Sequence, residues 1–246
     1  MAVSLERATL YEKYRLPYAG QAVTDLLACI GPVQVVADIG AGTGQLARLF
    51  AERCTRVYAI EPESAMRQVA ADALASSPMI DIRAACAEQT TLAERSLDLI
   101  VVGNAFHRFQ PAACAELRRI LKPSGWIALF SYAWTNEAME EMLGEKLAAL
   151  KDAASRVDRV WHEVPKEALF GKGRIHTRSY RQSRTDDWTA FFGAACGWLE
   201  APEPGDHEFG LFEEINREVF DTFAVNGAVR VEYKTQVEFG QPVVIS

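Results

Sequence analysis

The 246-residue sequence has no long uncharged hydrophobic segment and few cysteines. Its longest run without a charged residue, from Pro123 to Asn136, covers 14 residues, whereas a membrane-spanning helix needs about 20 apolar residues. The N-terminal residues carry charges and no apolar stretch, so we expect no secretory signal. The 5 cysteines are far apart and include no CxxC pair, which argues against a disulfide framework and a structural zinc site. We therefore expect a soluble protein of the reducing cytoplasm.

The sequence also lacks an excess of positive charge. Lys plus Arg number 26 against 33 Asp plus Glu, a net charge of -7, so no overall field would draw the chain to nucleic acid or to an anionic membrane. It contains no HExxH motif and no G-x-S-x-G motif, which disfavours a metal hydrolase and the common serine hydrolases of α/β folds. We expect a small-molecule partner, no nucleic acid, no membrane and no metal, with the chain a monomer or a homodimer.

Apolar runs of strand length alternate with amphipathic helical stretches between residues 33 and 132, which predicts βαβ units around a parallel, doubly wound sheet. The predicted strands are 33–39, 56–61, 79–85, 97–103 and 126–132, and the predicted helices are 21–30, 44–54, 64–74 and 112–121. The later residues predict helices at 136–154, 187–198 and 212–223, a strand at 175–183 and a terminal strand at 229–239. Because no internal repeat or second core is evident, we expect one domain over 1–246.

The densest motif is Val36-Ala-Asp-Ile-Gly-Ala-Gly-Thr-Gly44, in which an apolar strand ends at an acidic residue and runs into alternate glycines before a predicted helix. Glycine allows positive φ and removes the Cβ atoms that would keep a ligand from the backbone. The helix that follows would offer unpaired N–H groups and a positive dipole end to a carboxylate or phosphate. A tight turn that binds nothing is the alternative, but three glycines lose more conformational entropy than such a turn requires.

The glycines alone do not identify the ligand. The run Gly42-Thr-Gly-Gln-Leu-Ala47 also satisfies the dinucleotide pattern G-x-G-x-x-A. Glu61 ends the second predicted strand, 17 residues after Gly44, where its carboxylate could accept hydrogen bonds from both hydroxyls of a ribose. This feature is shared by NAD enzymes and by proteins that bind S-adenosylmethionine (SAM), and a solvated strand-end carboxylate is the plainer interpretation.

Several segments occur together in one order: VADIGAGTG at 36–44, AIEPESAM at 59–66, CAEQTTLAERSLDLIVVGNAFHRF at 86–109 and ELRRILKPSGWIALF at 116–130, after the arm YEKYRLPY at 11–18. Together they resemble the class I SAM-dependent methyltransferases, in particular the small-molecule group that includes trans-aconitate methyltransferase-like (methyltransferase type 11) enzymes. The resemblance implies a Rossmann-like, doubly wound, seven-stranded and mostly parallel sheet with an antiparallel last strand and a helical insertion. It divides the chain into a SAM-binding core at 11–132, helical insertions and an acceptor lid at 133–228, and a terminal strand at 229–246.

The resemblance also implies the residues of a SAM site. The glycines would line the methionyl part, Asp38 would support its ammonium group and Glu61 would hold the ribose. Residues 87 and 88 would contact adenine, and residues 104–107 would border the sulfonium. The predicted cofactor contacts are Tyr14, Arg15, Asp38, Gly40, Ala41, Gly42, Gly44, Glu61, Pro62, Ala87, Glu88, Asn104, Ala105 and His107.

The implied reaction moves a methyl group from SAM to a small-molecule acceptor, and the protein's main task is to align the nucleophile. If the acceptor is a hydroxyl or an amine, His107 is the candidate base because histidine titrates near neutral pH; a positioning role is the alternative. His162, beside Trp161, is a candidate for packing or for a lid contact. The absence of an Asn-Pro-Pro-Tyr run disfavours methylation of DNA or glutamine nitrogen.

Two later groups of residues leave the acceptor open. The basic run at 166–184 is either a solvated surface or, through residues such as Arg178, a guide for an anionic acceptor such as a carboxylate. The aromatic residues around Trp134, Trp188 and Trp198 form either the core of a helical lid or an acceptor wall. The competing functions are an NAD(P)-dependent oxidoreductase and a SAM-binding regulatory protein without turnover.

Overall fold

The computed structural model describes residues 3–148, 150 and 164–243. Helices and strands alternate through the first half of the chain, as the apolar pattern predicts. In chain order the elements are α1 (Leu5–Tyr14), α2 (Gly20–Ile30), β1 (Val35–Ile39), α3 (Gln45–Phe50), β2 (Arg56–Ile60), α4 (Ser64–Ala73), β3 (Ile80–Arg83), β4 (Leu97–Gly103), α5 (Ala112–Ile120), β5 (Leu121–Trp134), α6 (Glu137–Leu147), α7 (Lys166–Phe170), β6 (His176–Asp187), α8 (Trp188–Cys196), α9 (Phe209–Phe223) and β7 (Ala228–Gly240).

The strands form a seven-stranded sheet in the order β3-β2-β1-β4-β5-β7-β6, mostly parallel and antiparallel near the end. The predicted doubly wound architecture is confirmed. Asp38 of β1 is in register with Ala59 of β2 and with Val101 of β4. The chain reverses its direction of winding between β1 and β4, and ligands of such sheets bind beyond the carboxyl ends of the strands at this switch point.

The inner parallel strands β1 and β4 are mostly apolar because both faces of the sheet are covered there. Ala37, Ile39 and Ile100 belong to one buried cluster, while Val36 and Leu99 belong to another. This alternation follows from the two-residue period of a β-strand. The glycines and polar residues of the candidate site follow the carboxyl ends of these strands.

Some boundaries differ from the prediction. The predicted helix at 44–54 is only Gln45–Phe50, because Gly44 is left-handed and the N–H of Ala51 bonds to the carbonyl of Arg48, which tightens the last turn. β5 begins at Leu121, which pairs with Leu97 before a shift of register. The N-terminal arm is a helix, α1, in which the side chain of Ser4 accepts the N–H of Arg7.

The chain divides into two compact units. The described residues of the first lie within Met1–Pro17, Ala133–Arg159 and Arg181–Lys234, and those of the second within Tyr18–Tyr132, Val160–Tyr180 and Thr235–Ser246. The single domain with a core, lid and terminal strand therefore stays a prediction. Across the part of the chain that the structure describes, no helix combines the length and apolarity needed to cross a membrane.

Candidate active site

The turn after β1 has the backbone that the glycine spacing predicts. Gly40, Gly42 and Gly44 have φ angles of 73°, 58° and 85°, which non-glycine residues rarely adopt. The N–H groups of Gly40 and Ala41 donate to the carbonyl of Ile60 at 2.8 and 3.0 Å. The turn is thereby attached to the end of β2, next to Glu61.

The missing side chains of two of these glycines make room for the protein itself. A Cβ atom on Gly40 would lie 2.6 Å from the Cβ of Ala105, and one on Gly44 would lie 2.5 Å from Leu74. Packing within the second unit therefore requires Gly40, because the Cβ of Ala105 cannot turn away, whereas at Gly44 the φ of 85° is the stronger reason for glycine. The predicted contacts of these two residues with a cofactor have to come from their backbone atoms.

Glu61 is held in place by backbone donors. Its Oε2 accepts the N–H of Gly42 at 2.8 Å, its Oε1 accepts the N–H of Glu63 at 2.9 Å, and the side chain is largely buried. Burial raises the pKa of this carboxyl, and the two N–H donors oppose that rise. A carboxylate offers about four acceptor positions, so the two N–H bonds leave room for ribose hydroxyls. Pro62, the next residue, is exposed, and its carbonyl accepts Arg67 at 2.6 Å.

Asp38 is only 1% exposed at the end of β1. Its Oδ2 accepts the N–H of Ala47 in the first turn of α3 at 2.9 Å, so this N–H is not open to an anionic ligand. Its Oδ1 has no hydrogen-bond partner among the described residues. Burial, with a smaller contribution from the charge of Glu61, raises the pKa of Asp38 to about 7. A buried oxygen without a partner is suited to a ligand that donates a hydrogen bond.

The segment after β3 is fixed by polar contacts. Ala87 is buried, and Oε1 of Glu88 accepts the N–H of Gln110 at 2.8 Å. Thr90 donates both its N–H and its hydroxyl to Oε1 of Glu116, at 3.0 and 2.6 Å. The predicted adenine contacts, residues 87 and 88, therefore lie on a segment that hydrogen bonds attach to α5 and to Gln110.

The segment after β4 contacts the glycine turn. Ala105 packs against Gly40, and Asn104 has a left-handed φ of 48°, which is uncommon for a residue with a side chain. The N–H of Asn104 donates to the carbonyl of Phe130 at 2.9 Å, and its Nδ2 donates to the hydroxyl of Tyr18 at 3.1 Å. Within the second unit, the structure thus gathers the ends of β1, β2 and β4 at the switch point of the sheet.

Comparison with known proteins agrees with this arrangement. Residues 37–129 match the model of the methyltransferase domain family. An uncharacterized methyltransferase of Geobacillus kaustophilus is 31% identical over 160 residues, which cover 61% of this chain and 72% of that protein. The chain belongs to the class I SAM-dependent methyltransferase family.

This methyltransferase family member is also similar to a curated protein in sequence and to a solved structure in fold. An uncharacterized methyltransferase of Mycobacterium tuberculosis is 35% identical over 120 residues, which cover 48% of this chain and 47% of that protein, so the chain spans about half the length of this curated relative. A proposed type II methyltransferase from Anaeromyxobacter dehalogenans has a solved structure with a TM-score of 0.67 and 22% identity, covering 94% of this chain and 100% of that one. This structural likeness shows a shared fold. The trans-aconitate-like group remains a prediction.

In this methyltransferase family member, His107 lies in a short 3₁₀ helix, Phe106–Arg108. Its Nε2 accepts the Nε–H of Arg108 at 3.2 Å. In a neutral imidazole whose Nε2 accepts, the ring proton is on Nδ1, so the one lone pair that a base would use is the one bonded to Arg108. The role of His107 as a base stays a prediction, and the positioning alternative agrees better with this contact.

Tyr14 and Arg15 belong to the first unit, whereas the other predicted contacts belong to the second. The Tyr14 ring packs on α8, where a Cβ on Gly193 would lie 2.5 Å from it. The guanidinium of Arg15 lies 4.3 Å from the ring centroid of Tyr11. Their contacts with a cofactor stay predictions.

Arg178, the residue of the basic run proposed as a guide, does not lie at the carboxyl ends of the parallel strands. Arg178 donates to the Sγ of Cys29 at 3.2 Å, near the end of the helix that leads into β1. His176 lies beside Trp126, whose partner in β4 is Leu99, in the first half of that strand. Arg178 is therefore near the amino ends of the strands, and guidance of an anionic acceptor by this residue is not supported.

The aromatic residues of the first unit pack on one another. Trp188 stacks on Phe192 at 4.8 Å between centroids, and the guanidinium of Arg217 lies 3.5 Å from the Trp188 centroid. This arrangement favours the helical core over an acceptor wall. Trp161 and His162 lie outside the described residues.

Sequence reasoning assigned no role to two residues of the site. Thr43, inside the glycine turn, is fully buried and its Oγ1 has no partner among the described residues. Tyr18 was placed in the N-terminal arm, but its contact with Asn104 joins positions 86 residues apart, which no local pattern reveals. The described residues include no group of His, Cys, Asp or Glu arranged to hold a metal ion.

Proposed function

We propose that the chain transfers a methyl group from SAM to a small-molecule acceptor. The observation that carries this proposal is Glu61, a largely buried carboxylate that two backbone N–H groups hold at the end of β2 beside a glycine turn. A carboxylate fixed in this way is matched to the two hydroxyls of a ribose. Family membership favours SAM over NAD, which would use the same carboxylate.

The residues present fit SAM. Glu61 would bind the ribose, and the segment at Ala87 and Glu88 would border the adenine. Oδ1 of Asp38, which has no partner among the described residues, would accept a hydrogen bond from the ammonium group. When bound, SAM would supply a methyl group made electrophilic by the sulfonium. The protein would orient the acceptor toward it, and such alignment can contribute roughly 7–11 kcal/mol to a reaction that joins two bound molecules.

The acceptor is proposed only as a small molecule. An anionic acceptor guided by the basic run is not part of the proposal, because Arg178 lies near the amino ends of the strands. The acceptor lid at 133–228, the monomeric or dimeric state and the cytoplasmic location are predictions. An NAD(P) oxidoreductase and a SAM-binding protein without turnover are the outcomes that a test has to separate.

Calorimetry with SAM, NAD and NADP, followed by a transfer assay, tests the proposal. We expect SAM to bind and neither nicotinamide cofactor to bind. The protein is then incubated with SAM labelled with tritium in the methyl group and with a metabolite extract, and labelled small molecules are identified. NAD binding without SAM binding would contradict the proposal, and SAM binding without transfer to any acceptor would favour the regulatory alternative.

A further inference from the structure

Tyr18 contacts the carboxyl end of β4 at two consecutive residues. Its hydroxyl accepts the Nδ2–H of Asn104 at 3.1 Å. A Cβ atom on Gly103 would lie 2.8 Å from the same hydroxyl oxygen. The absence of a side chain at Gly103 therefore leaves space for the Tyr18 hydroxyl at the end of β4. A tyrosine hydroxyl thus stands beside the switch point of the sheet.

The Tyr18 side chain is fixed by the protein around it. The residue is 9% exposed, and its ring lies 5.9 Å from Phe130 and 5.8 Å from Tyr132. The N–H of the next residue, Ala19, donates to the buried hydroxyl of Thr235 at 3.0 Å. These contacts hold the Tyr18 hydroxyl in one place without help from a ligand.

Asn104 is the group that this hydroxyl orients. Its backbone is fixed by the left-handed φ and by the N–H bond to Phe130. Its side-chain amide still has two orientations, related by a half-turn that exchanges nitrogen and oxygen. Because Nδ2 of Asn104 bonds to the Tyr18 hydroxyl, Oδ1 of Asn104 lies on the side of the amide away from that hydroxyl.

The order of the strands places Asn104 opposite Glu61 across the glycine turn. Glu61 follows β2, the turn follows β1, and Asn104 follows β4, which are neighbours in the sheet. Ala105 touches the turn at Gly40. In SAM the sulfonium is bonded to the 5′ carbon of the ribose, so a nucleoside held by Glu61 and extended across the turn brings this cation to the β4 end.

We propose that Tyr18 is a positioning residue of the cofactor site, which acts by holding the Asn104 amide with its oxygen available to the sulfonium. A carbonyl oxygen carries partial negative charge and stabilises a nearby cation. This inference rests on the proposed function. It predicts that Tyr18 discriminates between SAM and S-adenosylhomocysteine, which lacks the methyl group and the positive charge.

Calorimetry with both ligands tests the proposal on the wild-type protein, Tyr18→Phe, Asn104→Ala and the double variant. Tyr18→Phe keeps the ring that packs on Phe130 and removes the hydroxyl. We expect it to lower the ratio of SAM affinity to S-adenosylhomocysteine affinity by about 3- to 10-fold, the usual range for one lost hydrogen bond. Asn104→Ala should lower the ratio to a similar extent, and the double variant should lower it no further.

Tyr180→Phe is the matched control. It removes a hydroxyl that donates to Asp25 at 2.9 Å within the same unit, and we expect an unchanged affinity ratio. If Tyr18→Phe is unfolded at 25 °C, the lower ratio in Asn104→Ala carries the first part of the test, and all four proteins are compared again at about 10–20 °C, where protein stability is usually greatest.

The outcomes separate this inference from the proposed function. An unchanged ratio, an equal loss for both ligands or additive effects in the double variant would overturn the role of Tyr18, because a purely structural residue affects both ligands alike. Wild-type protein that binds neither ligand would overturn the proposed function and this inference with it.

Discussion

At the scale of single residues, the site consists of polar groups that the fold buries and only partly satisfies. Glu61 keeps acceptor positions beyond its two N–H donors, and one oxygen of Asp38 has no partner among the described residues. Burying polar atoms in this way lowers stability, so their presence at one sheet edge favours a ligand site. The sequence predicted both carboxylates from their strand-end positions. It could not predict the partners of each oxygen, which depend on the turn geometry.

Asp38 gives a pH-dependent prediction. Because its pKa rises from 3.8 to about 7 on folding, its contribution favours the folded state at low pH and is lost as the pH rises through about 7. Asp38→Asn stays neutral and keeps an acceptor for Ala47. We expect it to exceed the wild type in free energy of unfolding by about 1–4 kcal/mol at pH 8, and by less at pH 5, in urea titrations.

The exposed Asp72 provides the control. Asp72→Asn should change the free energy of unfolding by less than about 0.5 kcal/mol at both pH values. A stability difference between Asp38→Asn and the wild type that is the same at pH 5 and pH 8 would show that Asp38 is ionised at both pH values in the folded protein and would contradict the raised pKa.

Gly40 gives a prediction about packing. In Gly40→Ala the new Cβ would lie 2.6 Å from Ala105, on a backbone with a φ of 73°, so we expect a loss of about 2–4 kcal/mol in free energy of unfolding. Gly20→Ala is the matched control, because nothing lies within 4 Å of its Cβ position and Gly20 begins α2. It should be neutral or stabilising by up to about 1 kcal/mol. Equal stability of the two variants in thermal unfolding would contradict this account of Gly40.

At the scale of elements, the apolar alternation predicted the inner strands closely, and β4 has the predicted bounds. Strands buried on both faces leave a strong pattern of this kind. α3 was predicted too long, because its end depends on a local turn rather than on apolar periodicity. The helical character of the N-terminal arm was missed for a similar reason, since only Ala8 of α1 is buried.

The link between α5 and the segment after β3 gives a prediction about acid stability. Arg119 donates to Glu116 at 2.7 and 2.8 Å and, together with Thr90, lowers the pKa of Glu116 to about 2. A lowered pKa stabilises the fold above the ordinary value of 4.5, and this stabilisation is lost as the pH falls toward 2. We expect Glu116→Gln to lower the free energy of unfolding by about 1–3 kcal/mol at pH 7, a range reduced because Arg119 is partly exposed. At pH 2.5 the decrease should be much smaller.

Urea unfolding at the two pH values measures this difference. Glu94→Gln is the control, because Glu94 and Arg95 form an exposed pair whose loss should change stability by less than about 0.5 kcal/mol. An equal decrease in the free energy of unfolding of Glu116→Gln at pH 7 and at pH 2.5 would show that the charge of the Glu116 carboxylate does not stabilise its contacts with Arg119 and Thr90.

At the scale of the whole molecule, the sheet order brings the ends of β2, β1 and β4 together, and this is the arrangement on which the proposed SAM site depends. The sequence predicted a doubly wound, mostly parallel sheet through its βαβ pattern and through the resemblance of its segments, without the spatial order of the strands. The basic run shows the limit of such reasoning. Its basic residues are close in sequence, but β6 places Arg178 near the amino ends of the parallel strands, away from the glycine turn.

The affinity of the wild type, Glu61→Gln and Glu52→Gln for SAM, measured by calorimetry, tests the central claim most directly. Glu61→Gln replaces an acceptor oxygen with a donor, so we expect a loss of about 10- to 150-fold, the range for a lost hydrogen bond to a charged group. Glu52 is exposed and lies in the same unit, and Glu52→Gln should bind as the wild type does. Thermal unfolding checks that Glu61→Gln is folded. Equal SAM affinity in all three folded proteins would contradict the proposal that Glu61 binds the ribose of SAM.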